Sequence, residues 1–296
     1  MRKFIFGFLL FSVALVSSAQ TNVSFKRTED VIYGRKFGTA LTLDVFQPEK
    51  PNGFGIILVV SGGWFSAHEV INAAACQPFF DRGYTVFAVV HGSQPKFQIP
   101  EIIQDMHRAV RFIRFNAKKY GVDPNHLGVT GGSAGGHLSL ILGTQGTKGK
   151  PDAKDPIDRE SSAVQAVACF FPPTDFLNYG KTNESALGEG VLAAFKVAFG
   201  QVPTNDDAKQ KFGSEISPIY SVTSNTAPTF ILHGDADKLV PIQQAETFLQ
   251  RAEEAGVKTK LVVKKGEAHG WKDWVADFAM FNDWFDEHLR GIKPTK

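Results

Sequence analysis

The stretch that decides the fold reads His126-Leu127-Gly128-Val129-Thr130-Gly131-Gly132-Ser133-Ala134-Gly135-Gly136-His137-Leu138. Its apolar start, residues 127–130, predicts a buried strand, and residues 138–142 after the glycines predict a helix. Between them stands the pattern G-x-S-x-G, which is typical of a nucleophile elbow. In such an elbow a sharp, strained turn pushes one serine hydroxyl, here that of Ser133, out of the backbone into a cleft.

The small residues of this turn have separate expected roles. We expect Gly131 and Gly135 to keep the strand and the helix free of side-chain clashes, with positive φ angles at these positions. Ala134 opens the helix, where backbone N–H groups lack partners and the helix dipole favours an anion. Glycine-rich strand–helix turns also bind phosphate, so the motif alone leaves a nucleotide site open.

Composition and charge fit a globular domain with a full core. The chain has 296 residues, of which 43% are hydrophobic and 21% charged, and this is enough for one large α/β domain. The net charge of +2 is too small to attract nucleic acid electrostatically, so we expect no nucleic-acid partner. Cys76 lies in an apolar helical run and Cys169 in a strand-like run, which favours two buried free thiols, although an exported protein can pair its cysteines.

Residues 1–19 have the features of a cleaved secretory signal. Residues 2–3 are positively charged, residues 4–16 are apolar, and residues 17–19 are small enough for cleavage. The apolar run is too short to cross a bilayer comfortably, and no later segment approaches a membrane span. We therefore expect a secreted or periplasmic protein with one domain over residues 20–296 and no membrane span.

Strand-like and helix-like runs alternate along most of the chain. This alternation predicts a mostly parallel sheet with helices on both faces, with functional groups beyond the carboxyl ends of the strands. Residues 174–226 lack strand signals but contain two amphipathic helical runs, so we interpret them as a small helical cap insertion or as connecting structure. The predicted strands are 30–33 and 41–46, as an antiparallel pair, then 54–60, 84–90, 127–130, 164–171, 228–232 and 260–263. The predicted helices are 70–82, one beginning at residue 100, 138–142, 187–199, 206–212, 242–255 and 273–289.

A serine is a poor nucleophile at neutral pH and needs a general base. His269 lies in a glycine-flanked loop after the last predicted strand, where it is free to reach Ser133. His68 and His91 are the weaker alternatives, because their positions allow them only to border the cleft.

The acid that orients this imidazole is expected in the loop after the penultimate strand. Asp235 lies next to the strand and can instead cap the turn, so the position of Asp237 further into the loop favours Asp237. The chain order is then Ser133, Asp237, His269, with each residue after its own strand.

Acyl transfer at Ser133 passes through an oxyanion that needs preorganised N–H donors. The amide of Ala134 is one candidate, and Gly63 or Trp64 in the loop after strand 54–60 supplies the other. The alternative is a plain β–α turn in which Trp64 only anchors the packing.

Motifs along nearly the whole of residues 20–296 carry a family resemblance. They are Ser61-Gly62-Gly63-Trp64, Tyr120-Gly121-Val122-Asp123-Pro124, Thr130-Gly131-Gly132-Ser133-Ala134-Gly135-Gly136-His137-Leu138, Ser217-Pro218-Ile219, His233-Gly234-Asp235-Ala236-Asp237 through Pro241, and Gly266-Glu267-Ala268-His269-Gly270. With them the chain resembles α/β-hydrolases of the carbohydrate-esterase-like group, which includes bacterial feruloyl and acetylxylan esterases and is close to the hormone-sensitive-lipase type. The resemblance implies the α/β-hydrolase fold, the triad Ser133, Asp237 and His269, and a serine esterase mechanism without metal or cofactor.

One loop departs from the family pattern. The family usually carries His-Gly-Gly-Gly there, whereas this chain has Ser61 in place of the histidine and Trp64 in place of the third glycine. The amides of Gly63 and Trp64 can still donate, but the hydrogen bonds that anchor the loop must differ. We expect Trp64 to narrow the acyl pocket.

We therefore expect a serine carboxylesterase acting on a small-molecule or glycan ester, of acetyl or feruloyl type. A prolyl-type peptidase or amidase on the same triad is the second hypothesis, and a bulkier domain gating the site would favour it. A hydrolase-fold binding module is the non-enzyme hypothesis, but such proteins usually lose a triad member. The acyl group, the alcohol and the oligomeric state stay open.

Overall fold

The computed structural model describes residues 24–293, and the predicted signal peptide lies outside this range. Strands within this range form one eight-stranded sheet, which confirms the predicted sheet. The strands are β1 (Phe25–Lys36), β2 (Thr39–Pro48), β3 (Gly55–Val60), β4 (Thr85–Val90), β5 (Leu127–Gly132), β6 (Ala166–Phe170), β7 (Thr229–Gly234) and β8 (Thr259–Lys264).

The strand order is β1-β2-β4-β3-β5-β6-β7-β8. β1 pairs with β2 and β2 with β4 in antiparallel orientation, as predicted for the first two strands. Every pairing from β4 through β8 is parallel. The carboxyl ends of these six strands therefore meet at one edge of the sheet.

Helices cover both faces of the sheet. Within residues 24–293 they are α1 (Gln77–Asp81), α2 (Ile99–Phe115), α3 (Ala117–Tyr120), α4 (Ala134–Thr144), α5 (Lys196–Phe199), α6 (Asp206–Ile216), α7 (Gln243–Glu254) and α8 (Asn282–Arg290). Short 3-10 segments span His68–Val70, Ala73–Cys76, Pro156–Arg159, Gly190–Phe195, Pro218–Ser221 and Ala276–Phe281. None of these helices is long and apolar enough to cross a bilayer.

Three predicted helices are broken into shorter pieces. Over residues 70–82, the Asn72 side chain accepts a hydrogen bond from the Ala74 amide and starts a 3-10 turn, and α1 begins only afterwards. Over residues 187–199, Gly188 and Gly190 have φ angles of 73° and 56°, which a right-handed helix does not allow. The predicted helix 273–289 begins with a 3-10 segment and becomes α-helical only in α8.

The core has two layers, because side chains alternate between the two faces of each strand. All six residues of β3 are buried, as predicted for a strand covered on both sides. Ile57 and Val59 pack with α2, α4 and α7 on one face, and Ile56 and Leu58 pack with α1 and α8 on the other. The two cysteines are buried and free, which confirms the favoured interpretation.

Residues 174–226, all within the described range, contain no strand and connect β6 to β7. Phe195 of this segment lies directly over Gly63. The rings of Phe176 and Phe199 contact the indole of Trp64, with centroid distances of 5.8 and 5.3 Å. The segment therefore covers one side of the loop after β3, and its status as a separate cap stays a prediction.

Candidate active site

Ser133 lies at the tip of a strained turn between β5 and α4. Its φ and ψ angles are 54° and −119°, a combination that residues with a Cβ atom rarely adopt. The positive φ therefore falls on the serine, and the prediction of positive φ at Gly131 and Gly135 is wrong. These glycines are needed for close approach, since a Cβ at Gly131 would lie 2.7 Å from the Gly135 backbone and one at Gly135 would lie 2.9 Å from the Val59 carbonyl.

The structure brings the three predicted triad residues together at the carboxyl edge of the sheet. His269 Nε2 lies 2.9 Å from Ser133 Oγ, and His269 Nδ1 lies 2.7 Å from Asp237 Oδ2. A carboxylate can only accept, so Nδ1 carries the proton and donates to Asp237. Nε2 is then left as the acceptor for the hydroxyl of Ser133, which is the arrangement that a general base requires.

Asp237 is buried and well supplied with hydrogen-bond donors. Its Oδ1 accepts from the amides of Leu239 and Val240, both at 2.9 Å. The Nε2–H of His233 donates to the Val240 carbonyl at 2.8 Å and lies 3.5 Å from Asp237 Oδ2. Burial alone raises the pKa of Asp237, but the hydrogen bonds from His233, His269 and Val240 outweigh it, so the net pKa lies below its usual range. The carboxylate thus stays ionised and keeps His269 oriented.

The competing candidates have other partners. Asp235 is exposed, accepts from the Gly266 amide at 2.6 Å and pairs with Lys265 at 3.1 Å, which fits the turn-capping alternative. His68 lies 3.3 Å from Asp44, and His91 is buried against Ser61.

The backbone N–H groups of the expected oxyanion donors have no hydrogen-bond acceptor among the described residues. In the loop after β3, the amides of Gly62 and Phe65 bond each other's carbonyls at 3.0 and 2.9 Å. Within residues 24–293, the amides of Gly63, Trp64 and Ala134 donate to no protein acceptor. The indole of Trp64 is buried in the core and does not line the cavity described next. Its expected narrowing of the acyl pocket stays a prediction.

An apolar cavity of about 380 Å³ opens beside the elbow. Its lining includes Ser61 and Gly62 from the loop after β3 and Gly132 from the elbow. Its remaining wall is mostly apolar and includes Val60, Phe65, Val70, Ala75, Trp274 and Phe278. The arrangement can hold an apolar group of moderate size next to Ser133.

Three histidines that sequence reasoning set aside or ranked low contact this machinery. His233 supports Asp237, as described above, and His91 and His137 contact the loop after β3 through Ser61 and Trp64. His137 lies four residues after Ser133 on α4, so helical spacing was a signal for it.

Among the described residues, one group has metal-ligand types within reach of each other: Glu29, Asp44 and His68. Arg27 lies between two of them, 3.1 Å from Glu29 and 2.5 Å from Asp44. The guanidinium therefore already pairs with both carboxylates, and these residues make no hydrogen bond or ion pair with Ser133.

Comparison with known proteins agrees with this geometry. The chain matches the profile of the BD-FAE family over residues 43–251. The probable carboxylic ester hydrolase LipM of Mycobacterium tuberculosis is 27% identical over 75% of this chain and 51% of its own length. Esterase LipC of the same organism is 30% identical over 75% of this chain and 54% of its own length. The chain thus spans about half the length of the curated relatives it matches.

A solved structure described as a truncated form of carbohydrate esterase from gut microbiota is similar over most of its length. It superposes with a TM-score of 0.74 and 25% identity, covering 92% of this chain and 99% of that chain. Because the family match extends over more than half of the sequence, the chain belongs to the BD-FAE family and has the α/β-hydrolase fold.

Proposed function

We propose that the protein is a serine carboxylesterase that hydrolyses acyl esters through an acyl-enzyme at Ser133. The observation that carries this proposal is the hydrogen-bonded series Ser133–His269–Asp237. The names of the curated relatives, a carboxylic ester hydrolase and an esterase, support the same reaction class.

In the first half of the reaction, Ser133 Oγ attacks the ester carbonyl carbon and His269 Nε2 takes the hydroxyl proton. Asp237 stabilises the imidazolium that forms. The amides of Ala134 and of Gly63 or Trp64 hold the oxyanion; losing one such donor costs about 3 kcal/mol in the barrier. The C–O bond to the alcohol then breaks, and His269 protonates the leaving oxygen.

In the second half, His269 takes a proton from water, and the hydroxide formed attacks the acyl-enzyme carbonyl. The same amides hold the second oxyanion. Ser133 leaves as its alcohol with the proton from His269, and the carboxylic acid is released. We propose that the cavity beside Gly62 and Gly132 receives the acyl group, because Gly132 directly precedes Ser133 and Gly62 directly precedes Gly63, a candidate oxyanion donor.

We propose an acylated oligosaccharide or polysaccharide as the substrate of an exported enzyme. The carbohydrate esterase named among the structural neighbours supports the substrate class, and the sequence pattern of residues 1–19 supports export. The acyl group is proposed to be acetyl or feruloyl, as in the esterases that the sequence resembles.

The test compares the wild-type protein with Ser133→Ala on p-nitrophenyl acetate and on the matched amide p-nitroacetanilide. We expect ester hydrolysis by the wild type, loss of it in the variant, and little turnover of the amide. Amide hydrolysis at the ester rate would favour the peptidase hypothesis, and undiminished ester hydrolysis by Ser133→Ala would refute the mechanism. Release of acetate or ferulate from a panel of acylated glycans then tests the substrate class.

A further inference from the structure

The loop of residues 61–66, here called the oxyanion loop, contains a tight turn whose position depends on contacts with its surroundings. Gly63 and Trp64 are consecutive left-handed residues, with φ angles of 55° and 60°. This conformation is unfavourable for a residue with a Cβ such as Trp64. The mutual backbone hydrogen bonds of Gly62 and Phe65 close this turn from within, so contacts from outside the loop fix its position rather than its local shape.

The first support is a buried histidine just after β4. His91 Nδ1 lies 2.8 Å from the Gly92 carbonyl, which can only accept, so Nδ1 carries the proton. His91 Nε2 is then an acceptor, and Ser61 Oγ donates to it over 2.8 Å. Burial lowers the pKa of His91 to about 4, so the imidazole is neutral near neutral pH and keeps this acceptor.

The backbone next to His91 holds the far end of the same loop. The His91 amide donates to Ser66 Oγ at 3.2 Å, and Ser66 Oγ donates to the Val60 carbonyl at 2.5 Å. The Ser66 amide donates to Ser93 Oγ at 3.1 Å. Residues 91–93 thus contact the oxyanion loop at its first and last residues.

The second support comes from α4, the helix that begins beside Ser133. Trp64 Nε1–H donates to His137 Nδ1 at 3.2 Å, and His137 Nε2–H donates to the Ile216 carbonyl at 2.7 Å. This contact fixes the indole. The Gln94 amide also donates to the Trp64 carbonyl at 3.2 Å. Neither contact involves the side chain of Ser61, whose hydroxyl bonds His91.

We propose that His91, acting through the hydroxyl of Ser61, is a positioning residue that holds the oxyanion loop in its working geometry. The inference rests on the proposed function, since this loop is the candidate source of oxyanion donors. Ser61 stands where the resembled family carries histidine, and in this chain the imidazole of His91, just after the neighbouring strand β4, bonds the Ser61 hydroxyl. The Ser61–His91 hydrogen bond therefore supplies an anchor that the loop sequence by itself lacks.

The experiment measures kcat, KM and the affinity for a trifluoromethyl ketone inhibitor in Ser61→Ala. The ketone forms a tetrahedral adduct whose oxygen occupies the oxyanion site, so its affinity follows transition-state binding. Because a small misplacement of catalytic groups is costly, we expect kcat per fluorophosphonate-reactive site to fall about 10- to 100-fold with KM changed less than about twofold. The inhibitor affinity should fall in parallel, and Ser61→Thr, which keeps the hydroxyl, should restore most of kcat.

The matched control is Ser162→Ala, which removes another buried serine–histidine contact. Ser162 Oγ lies 3.0 Å from His107 Nδ1, and burial lowers the pKa of His107 to about 4, as for His91. Ser162 Oγ also accepts from the Thr147 amide at 3.1 Å, so the control should lose at least as much thermal stability as Ser61→Ala but keep the wild-type kcat and inhibitor affinity.

Combining Ser61→Ala with His91→Gln tests whether the pair acts as a unit. If the two residues act as a unit, kcat of the double variant should equal that of the more impaired single variant. Unchanged kcat and inhibitor affinity in Ser61→Ala, or equal losses in Ser61→Ala and Ser162→Ala, would overturn the proposal. If Ser133→Ala abolishes hydrolysis while Ser61→Ala matches the wild type, only this inference fails and the esterase proposal stands.

Discussion

His269 Nε2 lies 2.9 Å from Ser133 Oγ, although 136 residues separate them in the sequence. The two residues follow β8 and β5, and two strands of the sheet stand between these. The loop after β8 must therefore cross the carboxyl edge of the sheet toward β5. It passes next to Gly234, and there the Ala236 amide donates to the Glu267 carbonyl at 3.0 Å.

Gly234→Ala is expected to move this loop. A Cβ at position 234 would overlap the carbonyl oxygen of Glu267, and backbone on both sides leaves it no room. Since His269 follows two residues later, we expect kcat to fall about 100-fold. Steady-state kinetics on p-nitrophenyl acetate checks this, and wild-type kcat in a folded variant would show that the close approach does not position the base.

Asp237→Asn is expected to lower kcat about 10³- to 10⁴-fold, because an amide no longer fixes the tautomer of His269 or stabilises its charged form. Asp235→Asn is the matched control in the same loop. Its carboxylate bonds the Gly266 amide and Lys265, so its kcat should stay near the wild-type value. The reverse order of effects in the kinetics would assign the orienting role to Asp235.

The buried histidines predict a loss of stability in mild acid. Burial holds the pKa of His91, His107 and His137 at about 4 in the folded protein, whereas an unfolded histidine takes up a proton below about pH 6.5. Between these values the unfolded state binds more protons, so the free energy of unfolding falls as the pH falls.

His107→Gln removes one of these three contributions. The free energy of unfolding is measured with urea at about pH 7 and about pH 5. Its decrease between the two pH values should be about 2 kcal/mol smaller in the variant than in the wild type. Equal falls in the two proteins would mean that His107 is not held neutral by burial.

Ala75→Leu tests whether the cavity receives the acyl group. Ala75 is buried in the cavity wall, so a larger side chain takes space from the group bound there. We expect kcat/KM to fall about tenfold more for p-nitrophenyl butyrate than for the acetate. The neighbouring Ala74 is exposed, and Ala74→Leu serves as the control with little effect on either ester. The two esters share the p-nitrophenyl group, so an equal loss of kcat/KM for both would indicate that the alcohol side binds in the cavity instead.

The fold followed from patterns that are local in the sequence. Apolar runs such as β3 and β7 are buried on both faces, and their alternation with helices is enough to indicate a parallel sheet. The boundaries of the shorter helices were not predictable in this way. They depend on single capping contacts, such as that of Asn72, and on glycine conformations that periodicity does not reveal.

The positions of Ser133, Asp237 and His269 could be predicted because each follows a recognisable strand. The surrounding histidines could not, because their roles depend on tertiary partners. His91 bonds a serine 30 residues away and His137 bonds a carbonyl 79 residues away. Helical spacing places His137 one turn after Ser133, but nothing in the local sequence of either histidine identifies its hydrogen-bond partner.

Covalent trapping with an organophosphate shows whether Ser133 is the nucleophile. Wild-type protein and Ser133→Ala are treated with diethyl p-nitrophenyl phosphate, and intact and peptide masses are measured. We expect one diethyl phosphate adduct on the peptide that contains Ser133, loss of esterase activity in step with labelling, and no adduct in the variant. An adduct on another residue that abolishes activity, or full activity in the protein labelled at Ser133, would contradict it.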